Sequence, residues 1–445
     1  MFIKPDVPFR QQWLPTTVIV GAVSLLVPIY LTVYGQRHDA VATTLNEMAQ
    51  TFFTLVFGLA MSVSDLGFTS AFRRLVHLRD SSQSSSHILS IMLGVAFLML
   101  YNGLFGTEIA SASPLTYFVP VGGMIFTFGM QLSSSCASGH MLGLGRFNVK
   151  SWAALPFFCC GSFLGVIVTE WVQDNTPMHG GISFFSSFGT LLGGLLQLAL
   201  LTLVLIVYWA VDRHQNHRSP QEILLSIVPN KTDIMPKGED AGLEESQTLM
   251  EQGEEDKVHE SEDKAPLVAL AAAHPTKIPG WLYVALFMGV WNATMLLLTG
   301  NTFGCSFPTL YLPSHWLYLL GVPVDKVLWW SKHMGSLTNP VALTSAVWQD
   351  AGLMIAAGLV AGLSAFFAKY WRKLNRNEWI GAAVGGLCLG VGARLGYGCN
   401  IGAFFSGLMT CSLHAWLWFG GAIPGSIFGV MVRRRLGISV EAKVF

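Results

Sequence analysis

The sequence predicts an all-α, polytopic membrane protein built from two inverted repeats, with broken (half) helices meeting near the bilayer midplane. Three observations carry this expectation. The 445-residue chain is 52% hydrophobic and only 12% charged, whereas soluble domains carry about a quarter charged residues. Its apolar runs approach the roughly 20 residues that cross about 30 Å of hydrocarbon as a helix. One Gly/Ser/Cys motif also occurs twice, at a fixed offset, in apolar surroundings.

The first run, "TTVIVGAVSLLVPIYLTVY" (16–34), follows Lys4, Asp6 and Arg10. It is too long for a signal-peptide core and reads as a retained first span. Similar runs lie at 48–66, 87–106, 151–172, 188–211, 281–300, 350–368 and 413–432. Between Asp212 and Lys277 the chain carries 14 acidic and 7 basic residues, leaving 12 acidic and 19 basic for the rest. High charge and few aromatics there cannot offset the entropy of ordering, so 212–277 is expected to be a disordered acidic linker. It separates an N-terminal transmembrane half, 1–211, from a C-terminal half, 278–445, and offers a surface for a cytosolic partner. Zero net charge gives no reason to expect nucleic acid.

The motif "GMIFTFGMQLSSSCASG" (123–139) aligns with "GLCLGVGARLGYGCNIG" (386–402). Gly123, Gly129, Leu132, Cys136 and Gly139 fall on Gly386, Gly392, Leu395, Cys399 and Gly402 without a gap. Each motif reads as an apolar arm of about 14 residues, a Gly/Ser break, and a shorter continuation. Such breaks are tolerated at membrane depth only where the freed backbone is buried in protein or lines a cavity.

Basic segments set the orientation. "RRLVHLR" (73–79), "RFNVK" (146–150), "DRHQNHR" (212–218), "KYWRKLNR" (369–376) and "RRR" (433–435) hold most of the remaining positive charge, and the positive-inside rule assigns them all to the cytoplasm. The first motif then runs outside to inside and the second inside to outside. That arrangement is the one used by transporters made of inverted repeats. It leaves the linker and both termini cytoplasmic, most simply at the plasma membrane.

After each break a helix N-terminus, at Ala137–His140 and at Asn400–Ala403, would aim N–H groups and partial positive charge at the midplane, an anion site. Cys136 and Cys399 place a soft, polarisable sulfur at its centre. Ser135, Gly139 and His140 flank the first break, and Gly398, Asn400 and Gly402 flank the second. Cys305, in "TGNTFGCSFP" (299–308), is expected as an entrance group; its counterpart, 57–67, has no cysteine. Arg394, aligned with Gln131, is the one basic residue within an arm and could neutralise an anion. Cys388 and Cys411 read as packing, and Asp350 as a solvated span end. The pattern calls for no metal and no cofactor.

"FGMQLSSSCASGHMLGLG" and "GARLGYGCNIGAFFSG" resemble the paired Gly–Cys signatures of the YeeE/YedE family, sulfur-transport integral membrane proteins that include thiosulfate uptake proteins. The resemblance covers both membrane halves and not 212–277. It implies uptake of thiosulfate or a related inorganic sulfur anion, relayed along intramembrane cysteines by transient S–H···S hydrogen bonds, with Cys136 and Cys399 as the pair and Cys305 as the third. Ser135 and Ala137 depart from the Gly and Thr common in the family. A transporter, not an enzyme, is therefore expected. The alternatives are a membrane sulfurtransferase with a cysteine persulfide, which needs an exposed thiolate, and an aquaporin-like channel for neutral solutes.

Overall fold

The computed structural model describes residues 41–64, 66–217, 223, 280–363 and 373–438. The first expected span, 16–34, and nearly all of the acidic linker lie outside the described residues.

Twelve helical segments carry the argument: α1 Val41–Ser64, α2 Ser82–Phe105, α3 Val119–Ser133, α4 Ala137–Gly145, α5 Val149–Asn175, α6 Thr190–Asn216, α7 Gly280–Thr299, α8 Pro308–Leu319, α9 Ser345–Leu363, α10 Arg376–Leu395, α11 Asn400–Met409 and α12 Leu413–Arg435. Among the described residues the only β pairings are two isolated bridges. Helices α2, α5, α6 and α12 are each long and apolar enough to cross a membrane, and α10 with α11, bent by 45° at the break, is long and apolar enough as a pair to form a broken span or a re-entrant loop. The protein is an all-α, multi-pass membrane protein.

Polar residues fix where the spans begin. Asn148 caps α5 by accepting from Lys150 N at 2.9 Å. Asn375 and Glu378 form a reciprocal capping box at 2.8 and 3.1 Å, which satisfies two N–H groups that the first turn would leave bare. This cap starts α10 at Arg376, so the second arm has 20 residues, longer than the run of about 14 expected from its apolar stretch.

The centre is an antiparallel crossing of α3 and α10 on glycine. A Cβ on Gly122 would lie 2.2 Å from Gly396 N, and one on Gly385 would lie 2.5 Å from Ser133 N. Moving 263 residues along the chain turns the first contact into the second, as for the motif itself. An exchange offset by one residue relates α3 lying on α12 to α10 lying on α5: a Cβ on Gly425 would meet Met124 O and one on Gly161, 264 residues earlier, would meet Leu387 O, each at 2.2 Å. Lipid supplies no hydrophobic drive between helices, so close backbone approach at small residues supplies the packing.

The basic segments gather at one end. Asn216 donates to the carbonyls of Leu78 and Arg79, Lys150 and Arg433 both reach Ser134, and Asn377 reaches Leu436 O. Arg74 and Asp80 pair within the same end.

Candidate functional site

The two breaks share one backbone design. Ser134 and Tyr397, 263 residues apart, both take the left-handed conformation, with φ 74° and 49°. At the second break Gly398 N reaches Ala393 O at 2.9 Å and Tyr397 N reaches Arg394 O at 3.2 Å, the paired bonds of a Schellman helix end. Gly398 then takes φ 155°, a value that glycine tolerates and side chains resist. Next come Cys136 and Cys399, extended at φ −79°, ψ −177° and φ −106°, ψ −175°. Each thus stands at the N-cap of a following helix, closed by His140 N to Cys136 O at 2.9 Å and Ala403 N to Cys399 O at 2.7 Å.

The sulfurs have different company. Cys399 Sγ lies 3.4 Å from Cys305 Sγ, a hydrogen-bond contact between two free thiols. Cys136 Sγ lies 3.2 Å from Ser138 Oγ and faces Thr69. The sequence expectation paired Cys136 with Cys399 and set Cys305 at the entrance; here Cys305 adjoins Cys399, because the α7–α8 turn folds over the second break. Ser406 Oγ donates to Phe303 O at 3.2 Å, and Gln349, itself bonded to Gln50, accepts from Gly304 N at 3.0 Å. All three thiols are buried, at 0–2% exposure.

A cavity of about 730 Å³ leads to Cys399 from the end of the molecule away from the basic segments. Its mouth includes Ser113, Asn301 and His333, and its depth includes Arg394, Gly398 and Gly402. Arg394 Nη2 donates to Ser306 O at 2.7 Å, and its Nε is buried without a partner. A guanidinium with a spare donor, a helix N-terminus and a thiol therefore meet at one cavity floor. That combination suits an anion bearing both oxygen and sulfur.

The remaining sequence candidates flank the two breaks. A Cβ on Gly139 would meet Ser135 Cβ at 3.3 Å and Cys136 Sγ at an ordinary 3.7 Å. Ser135 O accepts from Ser133 Oγ at 3.0 Å. His140 and Asn400 are buried, with both side-chain polar atoms unpartnered. Rings of Phe303, Phe57, Phe405 and Phe68 contact one another in sequence, with centroids 5.0, 6.3 and 5.9 Å apart, and Cys136 interacts electrostatically with both Cys399 and Cys305.

Two residues escaped the sequence reading. Asp350, expected as a solvated span end, is 5% exposed with both carboxylate oxygens unpartnered, and it interacts electrostatically with Cys399 and Cys305. Gln349 beside it anchors the Cys305 turn. The signal was the repeat: α9 begins at Ser345, 263 residues after the start of α2 at Ser82, which puts Asp350 more than a turn inside a helix.

Comparison with known proteins agrees with this architecture. The chain is 40% identical over 76 residues to the probable transporter YedE of Escherichia coli, a stretch that is 17% of this chain and 19% of that relative. The YedE of Salmonella typhimurium matches to the same extent. The thiosulfate transporter TsuA of Spirochaeta thermophila is 22% identical over 376 residues, 81% of this chain and 91% of the relative. A sulphur transport family profile matches residues 63–428, from the end of α1 into α12 and across both cysteine breaks, and so the chain belongs to the sulphur transport (YeeE/YedE) family of multi-pass integral membrane proteins.

Proposed function

We propose that the protein takes up thiosulfate or a related inorganic sulfur anion, through a constriction where Cys399, Cys305 and Cys136 hand the solute on by transient S–H···S contacts. The observation that carries this reading is Cys399 lining a cavity that also holds Arg394, with the Cys305 thiol 3.4 Å from its sulfur. The anion enters the cavity, Arg394 and the α11 N-terminus offset its charge, and its terminal sulfur exchanges into the thiol contact. It then passes to Cys136, which interacts electrostatically with both Cys399 and Cys305.

Several features support opposed orientation of the two halves: the antiparallel α3–α10 crossing, the contacts that interchange under a 263-residue shift, and the gathering of basic segments at one end. The positive-inside rule makes that end cytoplasmic and the cavity extracytoplasmic, in keeping with the plasma membrane. Burial of all three thiols speaks against a persulfide enzyme, because an acceptor would have to reach a sulfur that is 1% exposed.

Purified protein in proteoliposomes tests the reading. Uptake of radiolabelled thiosulfate should saturate, with selenite and sulfate as weaker competitors than unlabelled thiosulfate. Equal competition by sulfate would remove the role given to the thiols, because sulfate has oxygen and charge but no terminal sulfur.

A further inference from the structure

The basic end holds a group of donors that the transport path described so far does not use. Arg73, from the short helix Phe68–Arg73, Lys150 near the start of α5 and Arg433 in the last turn of α12 converge on the end of α3. Arg73 Nε donates to Gln131 Oε1 at 3.1 Å. Arg433 Nη1 donates to Gln131 O at 2.6 Å and to Ser134 Oγ at 2.7 Å, and Lys150 Nζ donates to the same hydroxyl at 2.5 Å.

Two donors are left over in this group. Arg73 is 6% exposed and Gln131 fully buried, yet Arg73 Nη2 and Gln131 Nε2 have no partner. Leaving buried donors unsatisfied is costly. Burial, and then the adjacent Arg433 charge, lower the Arg73 pKa to about 9, the mark of like charges held together out of water. Glu378, at the start of α10, acts on Arg433 and offsets part of that repulsion. An anion with two or more oxygens would occupy both spare donors and relieve the rest.

The location relates the group to the known cavity: Gln131, which receives the Arg73 hydrogen bond, stands in the first motif where Arg394 stands in the second. We propose that Arg73 and Gln131, backed by Arg433 and Lys150, form a second site for a tetrahedral sulfur oxyanion on the basic side, where the solute leaves Cys136. This site rests on the transport reading above. If the cations merely cap the negative end of α3, their loss would weaken the fold and change transport alike from both faces.

Thiosulfate entry measured from each face separates the two. Intact cells report the outer face and inverted membrane vesicles the inner one. Arg73→Gln and Gln131→Leu should each raise half-saturation in inverted vesicles about 10-fold, the effect of one lost charged hydrogen bond. The outer-face value should stay within about twofold, and Arg73→Lys should restore part of the loss. No change at either face, or equal change at both, overturns the site. Should Arg73→Gln fail to reach the membrane, Gln131→Leu, which keeps the cation, decides by the same comparison. Wild-type protein that moves no thiosulfate in either preparation refutes the transport reading first, and the site falls with it.

Discussion

At the level of single residues, the proposed uptake assigns sulfur and charge separate tasks at the cavity floor. Arg394 offers a spare buried donor beside the cavity, so Arg394→Gln should raise the outer half-saturation for thiosulfate by about 10-fold through loss of a charge-assisted hydrogen bond, with Arg394→Lys intermediate. Concentration-dependent uptake measures this directly. Cys305 touches Cys399, whereas Cys388 lies on the arm, half-buried and away from the break. Cys305→Ala should therefore lower uptake by about 10-fold or more, while Cys388→Ala stays within about twofold. The sequence made Cys136 and Cys399 legible because the same cysteine stands at the same place in two copies of a motif. Cys305 appears once, and its neighbour is decided by how the α7–α8 turn folds over the second break, which no local pattern encodes. Asp350 and Arg73 were read as a span end and as loop charge because sequence shows where a charge lies along the chain and not what closes over it.

Among the elements, α3 and α10 hold both breaks in place through backbone contact at Gly122–Gly396 and Gly385–Ser133. A side chain at Gly122 would have to push backbone aside, so Gly122→Leu should cost about 1–3 kcal/mol or more by overpacking, and both half-sites should be disturbed together. Thermal unfolding followed by size-exclusion chromatography in detergent reads the loss. Gly103, with nothing within 4 Å of an added Cβ, is the matching control: Gly103→Ala should leave the unfolding temperature unchanged or slightly higher, as expected for removing a glycine from a helix interior. Apolar periodicity located the spans to within several residues, since span length is dictated by bilayer thickness. The second arm was the main misjudgement of length. Its first turn, Arg376–Trp379, is polar by composition and helical because the Asn375–Glu378 capping box holds it.

Over the whole molecule, the two motif copies, 263 residues apart, each bring a thiol and a helix N-terminus to a break, with a guanidinium nearby. The sidedness of this arrangement is testable with an impermeant maleimide on intact cells. Asn301→Cys at the cavity mouth should label from outside, whereas Arg79→Cys and Lys373→Cys, exposed at the basic end, should label only after lysis. The all-α, multi-pass plan was readable from sequence through composition and the length of the apolar runs, and the repeated motif located both backbone breaks. The cavity, the thiol pair and the buried donors behind Gln131 arise from contacts between distant segments and needed coordinates. The account's central claim is that the thiol at the second break conducts the anion, and its most direct test is thiosulfate uptake by Cys399→Ala protein reconstituted in proteoliposomes at wild-type density. Loss of uptake with unaltered folding and insertion is the result the account predicts; uptake at the wild-type rate would contradict it.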